Sequence, residues 1–201
     1  STLNMLSSTT ARQTLVQNVT DTAVSLGLDG INVDFEQLSS DCGPHYVEFL
    51  RELSIQCRNK GLVLSVDNYV PFNFNDYYRL DIQGQVADYV IIMGYDEHWH
   101  GSKDPGSVAS IGYVSDGLDR TLQEVPANKV VNALPFYTIL WKTEGTDVTD
   151  EYITMRNEAD FMSRAGVTAE WDEETCQNYA EWTSGNATYQ IWLEDAESIA
   201  V

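Results

Sequence analysis

The run Asp29-Gly30-Ile31-Asn32-Val33-Asp34-Phe35-Glu36 has the composition of a β-strand and decides how the chain is interpreted. Side chains alternate between the two faces of a strand, so Asn32, Asp34 and Glu36 share one face and the three apolar residues share the other. The three residues Asn32, Asp34 and Glu36 are called the polar row. In an antiparallel sheet with one wet face such alternation is ordinary. In a parallel sheet with helices packed outside, the polar row faces a barrel interior, where unpaired carboxylates are costly unless they have a function.

Short apolar segments alternate with helical segments on both sides of this run. A helix is predicted from about residue 10 to 26 and a second from about 45 to 60, and each is followed by a glycine that favours its end. Further strands are predicted at Leu62–Val66, Tyr89–Met93, Lys129–Phe136 and Tyr189–Leu193, with helices at about 75–84 and 108–122 between them. This alternation predicts an α/β fold with a parallel sheet.

A long segment interrupts the alternation before the last predicted strand. A helix is predicted at about 151–164, and two alternating segments, 167–172 and 175–182, are typical of a hairpin. We therefore predict one domain over residues 1–201, with a small antiparallel hairpin inserted at about 143–187.

Composition limits the classes of partner. The chain has 201 residues, of which 43% are hydrophobic, enough to bury one sizeable core. Its formal net charge of −20 disfavours nucleic acid and anionic membrane surfaces, so a neutral ligand such as a glycan fits better. The three cysteines lack the spacing of a metal site, and no apolar run approaches the roughly 20 residues of a membrane span.

Two carboxylates on one strand face perturb each other, so that one can stay ionised while the other holds a proton. Glu36 is nearer the carboxyl end of the predicted strand and is the better candidate for a general acid. Asp34 lies deeper and is better placed to orient a substrate group. Asn32 is a neutral hydrogen-bonding neighbour that avoids a third negative charge.

This run resembles the signature of glycoside hydrolase family 18, Asp-Gly-x-Asp-x-Asp-x-Glu. The match covers Asp29, Gly30, Asp34 and Glu36, while Asn32 replaces the middle aspartate of the signature. Asparagine at that position resembles the spore-cortex and peptidoglycan-lytic branch of the family rather than typical chitinases.

Three later segments resemble further strands of the same family. Met93–Asp96 is similar to the Met-x-Tyr-Asp of its sixth strand, which implies that Tyr95 and Asp96 hold the acetamido group of the substrate. Ala133–Tyr137 is similar to its seventh strand, and Gln190–Asp195 to its eighth, which places Trp192 under the sugar at the cleavage point. The implied fold is a (β/α)8 barrel of which this chain supplies about strands four to eight.

The resemblance implies hydrolysis of β-linked N-acetylglucosamine glycans, chitin or peptidoglycan, by substrate-assisted retention. Glu36 would protonate the glycosidic oxygen while the N-acetyl oxygen of the sugar attacks the anomeric carbon, with Asp34 and Tyr95 orienting the acetamide. No cofactor or metal is expected, and the location would be extracellular or the cell wall of a bacterium. The alternative is a non-catalytic, chitinase-like binding protein, although such proteins commonly lack the glutamate that is present here.

Aromatic residues follow several predicted strands and fit a sugar cleft, because sugar C–H faces stack well on rings. An equal alternative is that each caps the core. We expect Trp99, Tyr137 and Asn32 to contact the substrate, and the other candidates are Tyr69, Phe72 and Trp141. His98 and His100 have a spacing that two metal ligands can have, but no third ligand with recognisable spacing follows.

Five parallel strands cannot close a barrel, so the strand containing Asp34 should lie at an open edge. We therefore expect self-association through that edge or a rearranged edge, and weak or no activity from these residues alone.

Overall fold

The computed structural model describes residues 1–201 and has an α/β fold. The helices are α1 Thr2–Ser7, α2 Thr9–Ser25, α3 Gly43–Lys60, α4 Leu80–Val86, α5 Ile111–Leu122 and α6 Met155–Ala165. The strands are β1 Gly30–Val33, β2 Val63–Tyr69, β3 Tyr89–Met93, β4 Val130–Ala133, β5 Tyr137–Glu144, β6 Asp147–Thr154, β7 Glu170–Asp172, β8 Gln177–Ser184 and β9 Ala187–Leu193. No helix is both long and apolar enough to cross a membrane.

The first four strands form one sheet in the order β1-β2-β3-β4, and β2 runs parallel to both β1 and β3. This confirms the predicted α/β fold with a parallel sheet. Alternate residues of β2 and β3 are fully buried, among them Leu64, Val66, Val90 and Ile92. β1 lies at an edge of this sheet. Self-association through that edge stays a prediction.

Gly30 allows β1 to approach β2 closely. It lies opposite Val63 in the parallel ladder, and a Cβ built on Gly30 would lie only 2.5 Å from the Val63 carbonyl oxygen. Real Cβ atoms essentially never come so close to another heavy atom. Any larger residue would therefore force the two strands apart at the start of the polar row.

The remaining strands form a second, antiparallel sheet in the order β6-β5-β9-β8-β7. The hairpin predicted at 167–172 and 175–182 is present as β7 and β8. The sheet occupies residues 137–193, a longer stretch than the predicted insertion at about 143–187. Residues 151–154, predicted to begin a helix, belong instead to β6, and α6 starts at Met155.

The prediction that Tyr189–Leu193 is a fifth parallel strand was wrong. These residues belong to β9, which pairs antiparallel with β5 on one side and β8 on the other. The reason is local, because Gly185 has a φ of +62° in a two-residue loop that turns β8 directly back into β9. Such glycines favour tight hairpins whose strands must run antiparallel.

The chain divides into two compact units, residues 1–93 with 117–132 and residues 94–116 with 133–201. The first contains the polar row on β1, and the second contains the antiparallel sheet. The assignment of residues 1–201 to one catalytic domain stays a prediction.

Candidate active site

The polar row of the first unit continues past the carboxyl end of β1. The strand ends at Val33, and both Asp34 and Glu36 follow it with exposed side chains. Phe35, between them, turns the other way and stacks on Phe49 of α3 with ring centroids 5.5 Å apart. This aromatic packing anchors the segment while the two carboxylates stay accessible to a ligand.

Glu36 is held by Tyr69 at the end of the neighbouring strand β2. The Tyr69 hydroxyl donates to Oε2 of Glu36 at 2.8 Å and accepts from the backbone N–H of Gln37 at 3.2 Å. Burial and the hydrogen bond to Glu36 raise the pKa of Tyr69 well above its usual value, so the hydroxyl keeps its proton and remains a donor. One oxygen of Glu36, Oε2, is thereby held in a fixed position.

Asp34 has a perturbed carboxyl group. Its pKa is raised mainly by partial loss of solvent around the carboxyl group, and further by the nearby carboxylates of Glu36 and Asp67. Like charges at short range cannot both ionise without cost, so a proton on one of them relieves the repulsion.

Asn32 connects the row to β2. Its Nδ2 donates to Oγ of Ser65 at 3.0 Å and to Oδ1 of Asp67 at 2.9 Å. Asp67 was not among the predicted site residues. The pattern of β2 contains the signal, because its buried residues alternate with Ser65, Asp67 and Tyr69, which share the face of the polar row.

The second unit holds a group formed by Tyr95, Asp96 and Tyr137. The Tyr137 hydroxyl donates to Oδ1 of Asp96 at 2.5 Å, and the Tyr95 and Tyr137 rings meet edge to face with centroids 6.4 Å apart. Burial, together with this hydrogen bond, raises the pKa of Tyr137 well above its usual value. Three of the predicted substrate-contacting residues are therefore brought together.

Trp192 lies in β9 and is half-buried. Its ring packs against Tyr179 with centroids 4.6 Å apart, and Oγ1 of Thr138 donates to its carbonyl oxygen. Trp192, Tyr95 and Tyr137 all pack against the same buried cluster, formed by Val108, Ile139, Trp141 and Val148. Trp99 differs from them, since 57% of its side chain is exposed.

Two of the candidate loop aromatics have different surroundings from those expected of cleft residues. Trp141 is completely buried in the second unit and donates from Nε1 to the carbonyl oxygen of Gly106 at 2.8 Å, so of the two alternatives left open for it the core position is the one observed. Phe72 stacks on the exposed Phe74 in the first unit, and the Arg120 guanidinium lies 5.2 Å from the centre of its ring.

His98 and His100 each have a protein partner. Nδ1 of His98 lies 2.9 Å from the carbonyl oxygen of Asp104, and its ring covers Gly106. Nδ1 of His100 is hydrogen-bonded to the Asp150 carboxylate. These contacts fix the two rings within the second unit.

Comparison with known proteins identifies the class. Residues 3–201 match the family model described as glycosyl hydrolases family 18, and the chain therefore belongs to that family. This confirms the resemblance drawn from the polar row and the later strands.

Two curated relatives are similar to nearly the whole length of this chain. The glycosylase YdhD of Bacillus subtilis (strain 168) is 28% identical over 98% of this chain and 48% of its own length. The cortical fragment-lytic enzyme of the same organism is 25% identical over 97% of this chain and 47% of its own length. The chain thus spans about half the length of the curated relatives it matches.

Solved structures agree with the fold. The crystal structure of YdhD matches 98% of this chain and 67% of that chain with a TM-score of 0.90 and 27% identity. A chitinase from Chromobacterium violaceum ATCC 12472 matches 96% of this chain and 62% of that chain with a TM-score of 0.84 and 28% identity.

Proposed function

We propose that the chain is part of the catalytic domain of a glycoside hydrolase that cleaves β-linked N-acetylglucosamine glycans by substrate-assisted retention. The observation that carries the proposal is the fixed position of Glu36, whose Oε2 accepts from Tyr69 beside a carboxyl group, Asp34, with a raised pKa. A carboxyl group with a perturbed pKa beside a second carboxyl group held in a fixed position is typical of catalytic sites.

In this proposal Glu36 donates its proton to the glycosidic oxygen. The N-acetyl oxygen of the sugar attacks the anomeric carbon as the bond to the leaving group breaks, so the sugar supplies the nucleophile that a second carboxylate supplies in most glycosidases. Asp34 orients the acetamide. That attack closes a ring between the N-acetyl group and the anomeric carbon. Water then opens this ring, and Glu36 accepts a proton from the water, which returns Glu36 to its starting state.

The remaining roles are proposed from each residue's own contacts. Asp96 and Tyr137 form a hydrogen-bonded pair that can hold an acetamido group, and Trp192 offers a half-buried ring as a sugar platform. Trp99 is exposed and suits a more distant sugar. Both amide protons of Asn32 are engaged, so its carbonyl oxygen is the atom that we assign to the substrate.

The substrate is proposed to be peptidoglycan or chitin. One relative is named as a cortical fragment-lytic enzyme and a similar structure as a chitinase, which supports both polymers. A net charge of −20 suits a carbohydrate polymer better than a polyanion. We further propose that the protein acts outside the cell or at a bacterial cell wall.

The test is Glu36→Gln, in these 201 residues and in any longer protein that contains them. Glutamine keeps the size and hydrogen bonding of glutamate but delivers no proton, and general acid catalysis contributes typically about 10²–10⁴-fold. We expect hydrolysis of N-acetylglucosamine oligomers and of peptidoglycan to be lost while binding, measured by calorimetry, persists. The matched control is Glu48→Gln, an exposed glutamate of α3, which should leave both unchanged.

Two outcomes would change the proposal. Near-normal turnover by Glu36→Gln would remove Glu36 as the acid. Binding of oligomers without any hydrolysis by the longer protein that contains these residues would favour the alternative of a non-catalytic carbohydrate-binding protein.

A further inference from the structure

Asn32 occupies the position at which the family signature carries its middle aspartate. The strand β1 therefore lacks the second acidic residue that the signature places beside Asp34. The row nevertheless contains another carboxylate, because Asp67 reaches it from β2 and its Oδ1 lies 2.9 Å from Nδ2 of Asn32.

We propose that Asp67 is a positioning residue that replaces the missing aspartate, and that its carboxylate, held by Asn32, keeps a proton on Asp34. This inference rests on the proposed function, since it assigns a task within the same reaction. In the signature the second acidic residue lies on the same strand as the last aspartate, whereas in this chain Asp67 lies on the neighbouring strand β2.

The register of the two strands places the groups side by side. Asn32 pairs with Ser65 and Val33 with Val66, so Asp34 and Asp67 are the next residues along the two parallel chains. Neighbouring strands lie about 4.8 Å apart, and carboxylates at about 4–6 Å disfavour each other's ionisation. The surroundings agree, because the pKa of Asp34 is raised by burial and then by Glu36 and Asp67.

Asn32 has a defined part in this arrangement. Both of its amide protons are donated, one to Ser65 and one to Asp67, and an amide cannot gain charge. An aspartate at position 32 would instead place one more carboxylate against Asp67. The pair of Asn32 and Asp67 thus keeps the number of acidic groups around Asp34 equal to that of the signature.

The other ionisable groups that face Asp34 do not supply the same effect. Glu36 is needed as the acid and its charge changes during the reaction. The buried Tyr46 hydroxyl of α3 is neutral, since burial raises the pKa of that group far above its usual value. Asp67 is therefore the neighbouring carboxyl group that has no proton-transfer step of its own in the proposed reaction. A proton retained on Asp34 lets it donate a hydrogen bond to Glu36 once Glu36 has given up its own proton.

The test follows the titration of Asp34 directly. Side-chain carboxyl carbons of the 201-residue chain are observed by ¹³C NMR, and the Asp34 signal is assigned by its loss in Asp34→Asn. We expect Asp67→Asn to lower the pKa of Asp34, because a like charge has been removed. Ser65→Ala, which takes away the other hydrogen bond of Asn32 but no charge, should leave that pKa in place. Asp67→Ser provides a second uncharged variant should the amide disturb folding.

Exchanging the two residues is the sharper test. The double variant Asn32→Asp with Asp67→Asn restores the arrangement of the signature, so it should return the pKa of Asp34 toward its original value. Turnover should fall on the order of 10-fold in Asp67→Asn, with little change in KM, and should recover in the double variant. A structural role for Asp67 would not be rescued by a charge on the opposite strand.

The two proposals fail in different ways. An Asp34 titration that does not move in Asp67→Asn or Asp67→Ser, or that does not recover in the exchange, would overturn the assignment of Asp67. Absence of hydrolysis by the longer protein that contains these residues, with the titration moving as expected in the 201-residue chain, would overturn the proposed function and leave the electrostatic role of Asp67 intact.

Discussion

Tyr69 links two strands at the candidate acid. Its hydroxyl donates to Glu36 and accepts from the backbone of Gln37, whose φ of +53° lies in the left-handed region. One phenol therefore fixes both the carboxylate and the turn that follows it. The ring packs edge to face on Tyr78 with centroids 6.1 Å apart, which limits its own freedom.

We predict that Tyr69→Phe lowers kcat on N-acetylglucosamine oligomers on the order of 10-fold or more, because an acid that rotates freely is misplaced for proton transfer. The free energy of unfolding should fall by only about 0.5–1.5 kcal/mol, the usual net effect of one hydrogen bond. Steady-state kinetics and urea unfolding measure the two quantities. If kcat fell only in proportion to the fraction of protein that remains folded, a positioning role for Tyr69 would be contradicted.

The control for this variant is Tyr179→Phe in the second unit. Its hydroxyl donates to Oε2 of Glu181 at 2.8 Å, the same length as the bond between Tyr69 and Glu36. Removing it deletes a tyrosine–carboxylate hydrogen bond of the same length in the other unit. We expect kcat to stay unchanged in this control.

At the scale of the element, the spacing of β1 and β2 depends on Gly30. A methyl group there would lie 2.5 Å from the Val63 carbonyl oxygen, which neither strand can accommodate without shifting. We predict that Gly30→Ala destabilises the first unit by about 1–3 kcal/mol. Urea unfolding followed by far-ultraviolet circular dichroism measures this, because the long helices α2 and α3 belong to that unit.

Gly112→Ala provides the comparison for that variant. Gly112 lies in α5, and the nearest atom to an added Cβ is Oγ of Ser110 at 4.0 Å. Alanine should leave stability unchanged or raise it by up to about 1 kcal/mol, since it favours helices. If both variants unfolded at the same urea concentration, the close approach of β1 to β2 would not limit stability.

The parallel elements could be predicted from the sequence because their signals are local. Apolar alternation marks β2 and β3, and Gly61 with a φ of +69° marks the end of α3. The alternation of polar and apolar residues from Ile31 to Glu36 is enough to predict that Asn32, Asp34 and Glu36 share one face. Their hydrogen bonds to Ser65, Asp67 and Tyr69 could not be predicted in the same way, since these depend on the register of two strands more than 30 positions apart in sequence.

The antiparallel elements were harder to predict, because the decisive signals are two short loops. Gly145 and Gly185, with φ of +64° and +62°, close the hairpins of β5 with β6 and of β8 with β9. Both loops have two residues, a length that forces the strands to run antiparallel. An apolar run such as Tyr189–Leu193 has the same composition in a parallel and in an antiparallel sheet. Its composition alone therefore could not predict the direction of the strand.

At the scale of the whole molecule, the protonation of two buried glutamates should determine how the free energy of unfolding changes with pH. The formal net charge is −20, yet two glutamates of the second unit are buried, Glu158 at 4% and Glu194 at 3% exposure. Oε1 of Glu158 has no hydrogen-bond partner, whereas Gln177 donates to Glu194. Burial raises the pKa of Glu158 to about 7 and that of Glu194 to about 8, and each glutamate lies near the carboxylate of Asp195.

The sign of the pH dependence follows from these values. In the folded chain the two groups hold their protons up to about pH 7 and 8, whereas in the unfolded chain they lose them near the ordinary glutamate pKa of 4.5. The folded state therefore binds more protons between these limits, and stability falls as the pH rises through that window. Their stabilising contribution is complete below about pH 4.5 and is lost above about pH 8, a change on the order of a few kcal/mol.

We predict that the second unit unfolds at progressively lower urea concentration from pH 5.5 to pH 9, and tryptophan fluorescence can follow this, because all five tryptophans lie in that unit. Glu158→Gln should flatten the dependence in part, and the double variant with Glu194→Gln should flatten it further, since a neutral amide has no proton to lose. Glu151→Gln, at an exposed position of β6, should reproduce the unsubstituted curve. Stability that rose between pH 6 and 9 would contradict this prediction, because the folded chain would then not be the state that binds the additional protons. A slope unaffected by both buried substitutions would mean that groups other than Glu158 and Glu194 determine the pH dependence.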